Sequence, residues 1–356
     1  MTDSSLRGEA IAFPPGSQSG ASEQLAGDLR VAVIVVNYKA AELTIDCLHS
    51  MVDEVKEIAS CRVIVVDNAS GDGSAERLQD AIDAHGWSEW ASLLPSDRNG
   101  GFASGCNLAL RAIHDNKVTA DYILLLNPDT VIRPGAFRIL MEFLDEHPDV
   151  GIAGGRSEDP DTTPQLCCFR FPNLTAEFAG ALSLGVFDRM VSGSLTRLGI
   201  PEEPAQVDWL SGALMMIRSS VIDQIGLLDE SYFLYFEETD FILRARRAGW
   251  TCWHVPASRA VHFVGQTTGV TRREGPKARL PGYWFESRRR YFVLNHGRLY
   301  AVAVDLAVII GHCLRRLRYA VQRRRDDAPP RFLRDLIAHS ALWRGRSGLR
   351  ERSTSL

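Results

Sequence analysis

Apolar runs separated by helical periodicities organise the first half of the chain. Val31-Ala32-Val33-Ile34-Val35-Val36 is continuous and mostly β-branched, the pattern of a strand buried on both faces. Leu43, Cys47, Leu48, Met51, Val52 and Val55 then recur at helical spacing on one face. Val63-Ile64-Val65-Val66 is a second buried strand ending at Asp67, and the turn formers of residues 68–73 lead into a helix predicted over 74–84. A short strand near 91–94, a helix over 104–114 and a strand Tyr122-Ile123-Leu124-Leu125-Leu126 follow. Pro134 suits the first turn of a helix running to residue 145. Residues 155–205 read as an irregular insertion, 207–269 as a second chemically dense stretch, and the chain after Tyr283 as helical and basic.

Strands alternating with helices predict an α/β fold whose central sheet is mostly parallel, joined by right-handed crossovers. Ligands of such sheets sit beyond the carboxyl ends of the strands. That rule selects Asn37-Tyr38, Asp67-Asn68, the loop at Asn99 and Asn127-Pro128-Asp129 as neighbours around one crevice. No internal repeat is visible.

Composition narrows the class. With 356 residues, 45% hydrophobic and 24% charged, the chain is neither mostly disordered, collagenous nor a multi-span membrane protein. Its net charge of −4 conceals a split: from residue 271 onward there are 20 Lys and Arg against 7 Asp and Glu, and before it 20 against 37. Such asymmetry suggests an anionic partner for the basic end. Seven cysteines without regular spacing argue against a disulfide scaffold and for a reducing compartment. Residues 1–29, rich in Ser, Gly, Ala and Pro, read as a flexible leader without the pattern of a signal peptide.

Five clusters carry candidate chemistry. Asp67, at a strand end, can accept hydrogen bonds from a base or ribose, or simply close an Asx-turn with Ser70. Asn99-Gly100-Gly101-Phe102 offers backbone N–H groups to an anion, or is a plain turn. Asn127-Pro128-Asp129 suits a hard divalent cation held with phosphate oxygens. Glu237-Glu238-Thr239-Asp240 follows the aromatic run of residues 232–236. Acidic residues favour a helix start, but crowding and desolvation also make a general base. His262 is a credible further ligand for Mg2+ or Mn2+. Neither a GxGxxG after the first strand nor a GxxxxGK[ST] is present, which speaks against a dinucleotide fold and a P-loop.

The segments Val33–Tyr38, Val65–Gly73, Arg98–Ala103, Leu125–Thr130, Gly212-Ala213 with Arg218, Gly226–Glu230 and Phe233–Gly249 stand in the order of a family 2 glycosyltransferase with the GT-A fold. The chain resembles above all the bacterial rhamnosyltransferase-like branch. The resemblance implies inverting transfer from a nucleotide-diphospho-sugar, dTDP- or UDP-linked, by a catalytic domain over 30–270. Residues 30–155 would form its nucleotide-sugar half and 156–270 its acceptor and base half. Asp67 would bind the pyrimidine, with Asn37, Asn99, Gly100, Gly101 and Asn127 around the donor. Asp129 would hold a cation, Mg2+ or Mn2+, with His262 assisting. The base would be Glu238 or Glu237, where the family usually has Glu-Asp. Asn127 departs from the first Asp of a full DXD and leaves Asp129 the main carboxylate. Asp208 and Trp209 are expected to line the acceptor sugar, with core packing an equal fate for Trp209, and Asp240 is counted with the binding residues. The best-fitting reaction moves L-rhamnose from dTDP-rhamnose to a lipid-linked or polysaccharide hydroxyl in cell-envelope assembly. Galactofuranosyl, GlcNAc and mannosyl transfer are alternatives.

The basic extension over 271–356 has its own reading. Leu299, Val302, Leu306, Ile309, Ile310, Cys313 and Leu317 fall on one helical stripe, with Asp305, His312 and Arg316 opposite. The cation-free run from 299 to 314 is too short to span a bilayer. With the nearby arginine clusters it suits an anionic membrane surface, which would place the protein in the cytoplasm, peripheral on the inner face of the membrane. Tyr283-Trp284-Phe285 beside Arg288-Arg289-Arg290 reads as a second anchor. The alternative is a helix pair packed on the catalytic domain. Nucleic acid is not expected as a partner, because no recognised motif accompanies the charge. A nucleotidyltransferase and a non-catalytic binder are the rival classes.

Overall fold

The structure, a computed structural model, describes residues 28–196, 199–263, 277–326, 328–352 and 354. The expected leader therefore lies almost entirely outside the described residues, as does the junction between catalytic domain and tail. The first half follows its hydrophobic pattern closely. β1 (Leu29–Asn37), α1 (Ala41–Glu57), β2 (Cys61–Asp67), α2 (Ser74–Ala84), β3 (Ala91–Pro95), α3 (Phe102–Asp115) and β4 (Ala120–Leu126) alternate along the chain. β1 lies parallel between β2 and β4, and β3 parallel beside β2.

The remaining elements are β5 (Thr130–Ile132), α4 (Ala136–Glu146), β6 (Val150–Glu158), β7 (Cys168–Phe169), α5 (Leu174–Leu182), α6 (Gly185–Met190), β8 (Ala205–Val207), β9 (Trp209–Leu210), β10 (Leu214–Arg218), α7 (Ser219–Ile225), α8 (Glu237–Arg247), β11 (Thr251–His262), α9 (Gly282–His296), α10 (Arg298–Val321) and α11 (Phe332–His339). The main sheet runs β3-β2-β1-β4-β10-β6-β11-β5, with β8 also on β11, while β7 and β9 form a separate two-stranded ribbon. β10 enters antiparallel to β4 and β6.

The period of two sorts side chains into two core layers. Val31, Val33, Val35, Val63, Val65, Leu124 and Leu126 face α1, α2 and α4. Ala32, Ile34, Val36, Ile64, Val66, Ile123 and Leu125 face α3, α7 and α8. Burying each such Val, Leu or Ile contributes about 1.5–3 kcal/mol.

Two expectations change. The supposed irregular insertion of residues 155–205 begins inside β6 and also holds β7, α5, α6 and the start of β8; β6 itself pairs with β10 and β11. Its glycines dilute the apolar signal because the neighbouring side chains leave no room: a Cβ at Gly154 would lie 2.5 Å from Leu210 Cδ1. The second anchor is also overturned. Arg288, Arg289 and Arg290 are buried. Arg290 pairs with Asp229 at 2.6 Å, and Arg288 bridges Glu177 and Asp305 at 2.7 and 2.5 Å. Tyr291, Phe292 and Val293 of α9 pack with Tyr232 and Leu243 of the catalytic half.

Candidate active site

The strand ends assemble one wall. Asn37 and Asp67 are register partners at the ends of β1 and β2. Asn37 Nδ2 donates to Asp67 Oδ1 at 2.7 Å, and Thr44 Oγ1 donates to Asn37 Oδ1 at 2.9 Å. Ser70 donates its hydroxyl and its N–H to the same carboxylate, at 2.6 and 3.1 Å. Asp67 therefore closes a local turn and locks the tips of β1 and β2 together. Both residues are buried, just behind Tyr38 and Asn68, which face a cavity of about 480 Å³. That volume lies within the range of small-molecule sites.

Asn68 Nδ2 reaches Asn99 Oδ1 and the Gly101 carbonyl, each at 3.1 Å. Gly101 sits at φ +87°, ψ −178°, a backbone region essentially reserved for glycine. A Cβ there would lie 1.8 Å from the Phe233 carbonyl oxygen, which accepts the Phe102 N–H at 3.1 Å. The Gly101 N–H is held by Asn99 Oδ1 at 3.0 Å. These two N–H groups are thus engaged within the protein, and the glycine is needed for the close crossing of two chain segments. Gly100 does not line the cavity; a Cβ on it would meet Ser104 Oγ at 2.4 Å.

A second wall comes from the β4–β5 connection and the end of β11. His262 and Thr130 are register partners, and the Phe263 N–H donates to the Asp129 carbonyl at 2.9 Å. His262 Nε2 then lies 3.3 Å from Asp129 Oδ1 and 3.3 Å from the Asn127 side-chain amide. Gln165 fixes the backbone by donating to the His262 carbonyl at 2.8 Å. A carboxylate oxygen, an imidazole nitrogen and an amide that can turn its oxygen inward make a hard-to-borderline donor set. It fits Mg2+ or Mn2+ chemically.

The third wall is α8. Its entry is strained: Tyr235 and Phe236 both have φ +69°, where such bulky residues are outliers costing on the order of 1–3 kcal/mol each. The turn brings Glu237 and Glu238 to the cavity together with Phe233, Tyr235 and Tyr283. Glu238 Oε1 accepts the Gly212 N–H at 3.3 Å. Glu237 is only 2% exposed, and its Oε2 has no hydrogen-bond partner. Burial, and then the Glu238 charge, hold Glu237 well above the ordinary carboxyl range. Burial also raises Glu238, against the opposing pull of its own and the Gly212 backbone N–H groups.

Three expected substrate contacts prove to be scaffold. Asp208 accepts the Phe171 N–H at 3.0 Å and pairs with Arg246 at 2.6 Å. The Trp209 indole stacks on Phe169 at 4.3 Å and donates to the Arg170 carbonyl at 3.0 Å. Asp240, fully buried, is held by Arg244, Arg352, Tyr232 and Asn295. None of the three lines the cavity. Asn68, from the Asp67-Asn68 strand end, Phe102, from the glycine loop, and Phe233 and Tyr235, from the aromatic run before Glu237, line it without having been assigned a role, and Tyr283 does so after being read as an anchor. Asn68 was signalled by its place after Asp67; the aromatics carried no signal beyond their proximity to Glu237.

A mostly parallel sheet with its crevice at the strand ends, and carboxylates on two of its walls, is the architecture of a nucleotide-sugar transferase. The sequence pattern of the family described as "Glycosyltransferase like family 2" matches residues 29–291, and the chain belongs to that family. It has the GT-A fold. Its similarity to an N-acetylglucosaminyl-diphospho-decaprenol L-rhamnosyltransferase of Mycobacterium tuberculosis is 29% identity over 217 residues, 58% of this chain and 68% of the relative. The rhamnosyltransferase WbbL of Escherichia coli is 28% identical over 183 residues, 46% of this chain and 61% of the relative. Among solved structures, GalNAc-T7 with UDP, GalNAc and Mn2+ superposes with a TM-score of 0.51 at 12% identity. The superposition covers 83% of this chain and 57% of that one, a likeness of fold.

Proposed function

We propose that the chain transfers L-rhamnose from dTDP-rhamnose, with inversion, to a hydroxyl of a polyprenyl-diphosphate-linked sugar during cell-envelope assembly. The observation that carries this reading is the shared cavity, where Asn127, Asp129 and His262 meet the Glu237-Glu238 pair. The names of the M. tuberculosis and E. coli relatives support rhamnose as the sugar, and the former supports a lipid-linked acceptor.

Asp129 and His262 would hold the cation, which when bound supplies Lewis-acid stabilisation of charge on the leaving diphosphate. Glu238 is the general base: the Gly212 N–H orients it and favours its ionised form. It takes the proton of the acceptor hydroxyl as that oxygen bonds to the anomeric carbon and the bond to the diphosphate breaks. Glu237, deeper and beside this charge, is biased toward its neutral form by burial and then by Glu238, which lessens the repulsion within the pair. Phe233, Tyr235 and Tyr283 cover the sugar and exclude water. One displacement requires no protein nucleophile.

The tail supports a membrane setting. α10 turns Asp305, His312 and Arg315 inward, and leaves Leu299, Leu306, Ile310, Leu314, Leu317 and Val321 exposed. Arg323, Arg324 and Arg325 follow and are exposed. Among the described residues no helix is long and apolar enough to cross a membrane. An apolar stripe followed by arginines fits an anionic surface on which the helix lies flat, at the inner face of the membrane.

The test is transfer from dTDP-rhamnose to a short polyprenyl-diphosphate-GlcNAc in the presence of Mg2+ or Mn2+. Glu238→Gln should lower kcat by about 100- to 10,000-fold, the range for loss of a general base. Turnover of UDP- or GDP-sugars alone would move the donor assignment. Failure to use any nucleotide-sugar, or a Glu238→Gln variant of full activity, would refute the mechanism.

A further inference from the structure

Six of the seven cysteines are buried, and none forms a disulfide. Two of them, Cys167 and Cys168, are adjacent at the start of β7, and they lie against the buried His254. His254 of β11 is 0% exposed, and neither of its ring nitrogens has a hydrogen-bond partner. An imidazole buried this way leaves at least one polar atom unpaired, at a cost of about 1–3 kcal/mol unless something binds it. What it meets is sulfur. The Cys167 and Cys168 sulfurs and a His254 nitrogen all lie within 4.8 Å of one another. The cysteines are 3% and 0% exposed.

We propose that Cys167, Cys168 and His254 form a structural zinc site, separate from the Mg2+ or Mn2+ position at Asp129. Two sulfurs and an imidazole are the donors that a thiophilic, redox-inert d10 cation selects over Mg2+ or Mn2+. The charges also balance. Two thiolates, a dication and a neutral imidazole sum to zero, so the assembly can be buried without an unpaired charge. The Cys167 thiol donates to the Gly155 carbonyl oxygen at 3.7 Å, and a tetrahedral site would take that oxygen or a water as its fourth donor.

The position gives the site a purpose. Cys168 pairs with Leu210 in the β7–β9 ribbon, and the Cys167 carbonyl accepts the Ser211 N–H at 3.0 Å. The next residue, Gly212, is the one whose N–H holds Glu238. A cation joining β7 to β11 would fasten this ribbon to the main sheet one residue from the contact that orients Glu238. The zinc reading itself is independent of which sugar is transferred.

The experiment uses the full, untagged chain, expressed with added zinc, purified under reducing conditions and dialysed against EDTA. Elemental mass spectrometry should find about one zinc per chain, as a closed structural site requires. Asp129→Ala and Cys313→Ser should retain it, while Cys167→Ser and His254→Ala should lose it. Cobalt added to the metal-free wild type should give thiolate-to-cobalt charge-transfer absorption in the near ultraviolet, a readout that does not depend on how the variants fold. Zinc should raise Tm by several degrees. A folded wild type without zinc and without the cobalt band would overturn the site. So would zinc retained in Cys167→Ser, zinc lost in Asp129→Ala, or an intact mass two hydrogens short that disappears on reduction, which would mean a Cys167–Cys168 disulfide.

Discussion

Replacing Gly101 by alanine perturbs a single atom at the point where two walls of the cavity touch. The added Cβ would stand 1.8 Å from the Phe233 carbonyl oxygen, with the Phe233 carbonyl carbon at 2.6 Å. A backbone carbonyl cannot rotate away as a long side chain can, so the segments must separate by more than an ångström. Separation removes the hydrogen bond from the Phe102 N–H to Phe233, about 1 kcal/mol. The backbone at φ +87° adds about 1–3 kcal/mol for any residue with a Cβ. Gly101→Ala should therefore cost about 2–4 kcal/mol in urea denaturation. Phe233 lines the cavity and its ring contacts Tyr283 at 5.2 Å, so the KM for the nucleotide-sugar should rise along with the loss of stability. Gly100→Ala is the informative companion: it meets only the Ser104 side chain, at 2.4 and 2.6 Å, and should cost less. A Gly101→Ala variant with wild-type stability and KM, or one no worse than Gly100→Ala, would show that the crossing does not hold the site together.

Glu237 gives a pH signature. Its carboxyl is held above the ordinary value by burial and then by Glu238, so the folded chain keeps a proton that the unfolded chain releases near about pH 4.3. The associated stability is complete below that value and is lost as pH rises through the higher folded-state value. Glu237→Gln should therefore flatten the decline of unfolding free energy with rising pH; equal slopes for variant and wild type would contradict this. Arg290 and Asp229 are 2% and 0% exposed in their side chains, so Arg290→Met leaves a buried carboxylate without its cation and should cost about 3–5 kcal/mol in thermal or urea unfolding. The double change Arg290→Met with Asp229→Leu should recover most of that loss. For the proposed membrane contact, Ile310→Ser with Leu317→Ser should weaken sedimentation with anionic vesicles at least tenfold, roughly 1.4 kcal/mol, without lowering Tm. Unchanged binding would remove α10 from the membrane contact.

The half of the molecule whose crevice lies at the strand ends was legible because two signals coincide there. Continuous β-branched runs mark strands buried on both faces, and Asn37, Asp67 and Asn127 stand at or just past their last apolar residues. A strand's end in sequence is its carboxyl edge in space, so the crevice could be placed before any coordinates. No comparable rule links Glu238 to Gly212, 26 residues apart, or Tyr283 to the Glu237 cavity. Asp208 and Asp240 illustrate the converse. Both stand in acidic or aromatic surroundings that suggest chemistry, but Arg246 engages one and Arg244 and Arg352 the other. Those arginines are spent on the scaffold, and a sequence does not say which of its ion pairs are internal.

α10 shows what periodicity leaves open. The spacing of Leu299, Leu306, Ile310 and Leu317 defines a stripe, and the usual inference turns a stripe toward the core. The protein takes the opposite face inward because partners wait there. Arg288 reaches Asp305 at 2.5 Å, the Ala341 N–H donates to the other Asp305 oxygen at 2.8 Å, and Arg315 meets Asp326 at 3.1 Å. A buried Asp305 without Arg288 would cost several kcal/mol, so this pairing fixes the rotation of the helix. The packed reading of the tail describes one face of the helix, and the proposed membrane contact would use the other. The face that docks carries Ala301, Val304 and Val308 beside Asp305, His312 and Arg315, and docking leaves the leucines outside. A soluble monomer gains nothing from that arrangement, since Leu299 at 88% and Leu317 at 65% exposure forgo about 1.5–3 kcal/mol each relative to burial. An apolar surface that receives them after the protein has folded recovers that energy, and it does so at the end of the chain that carries the excess positive charge.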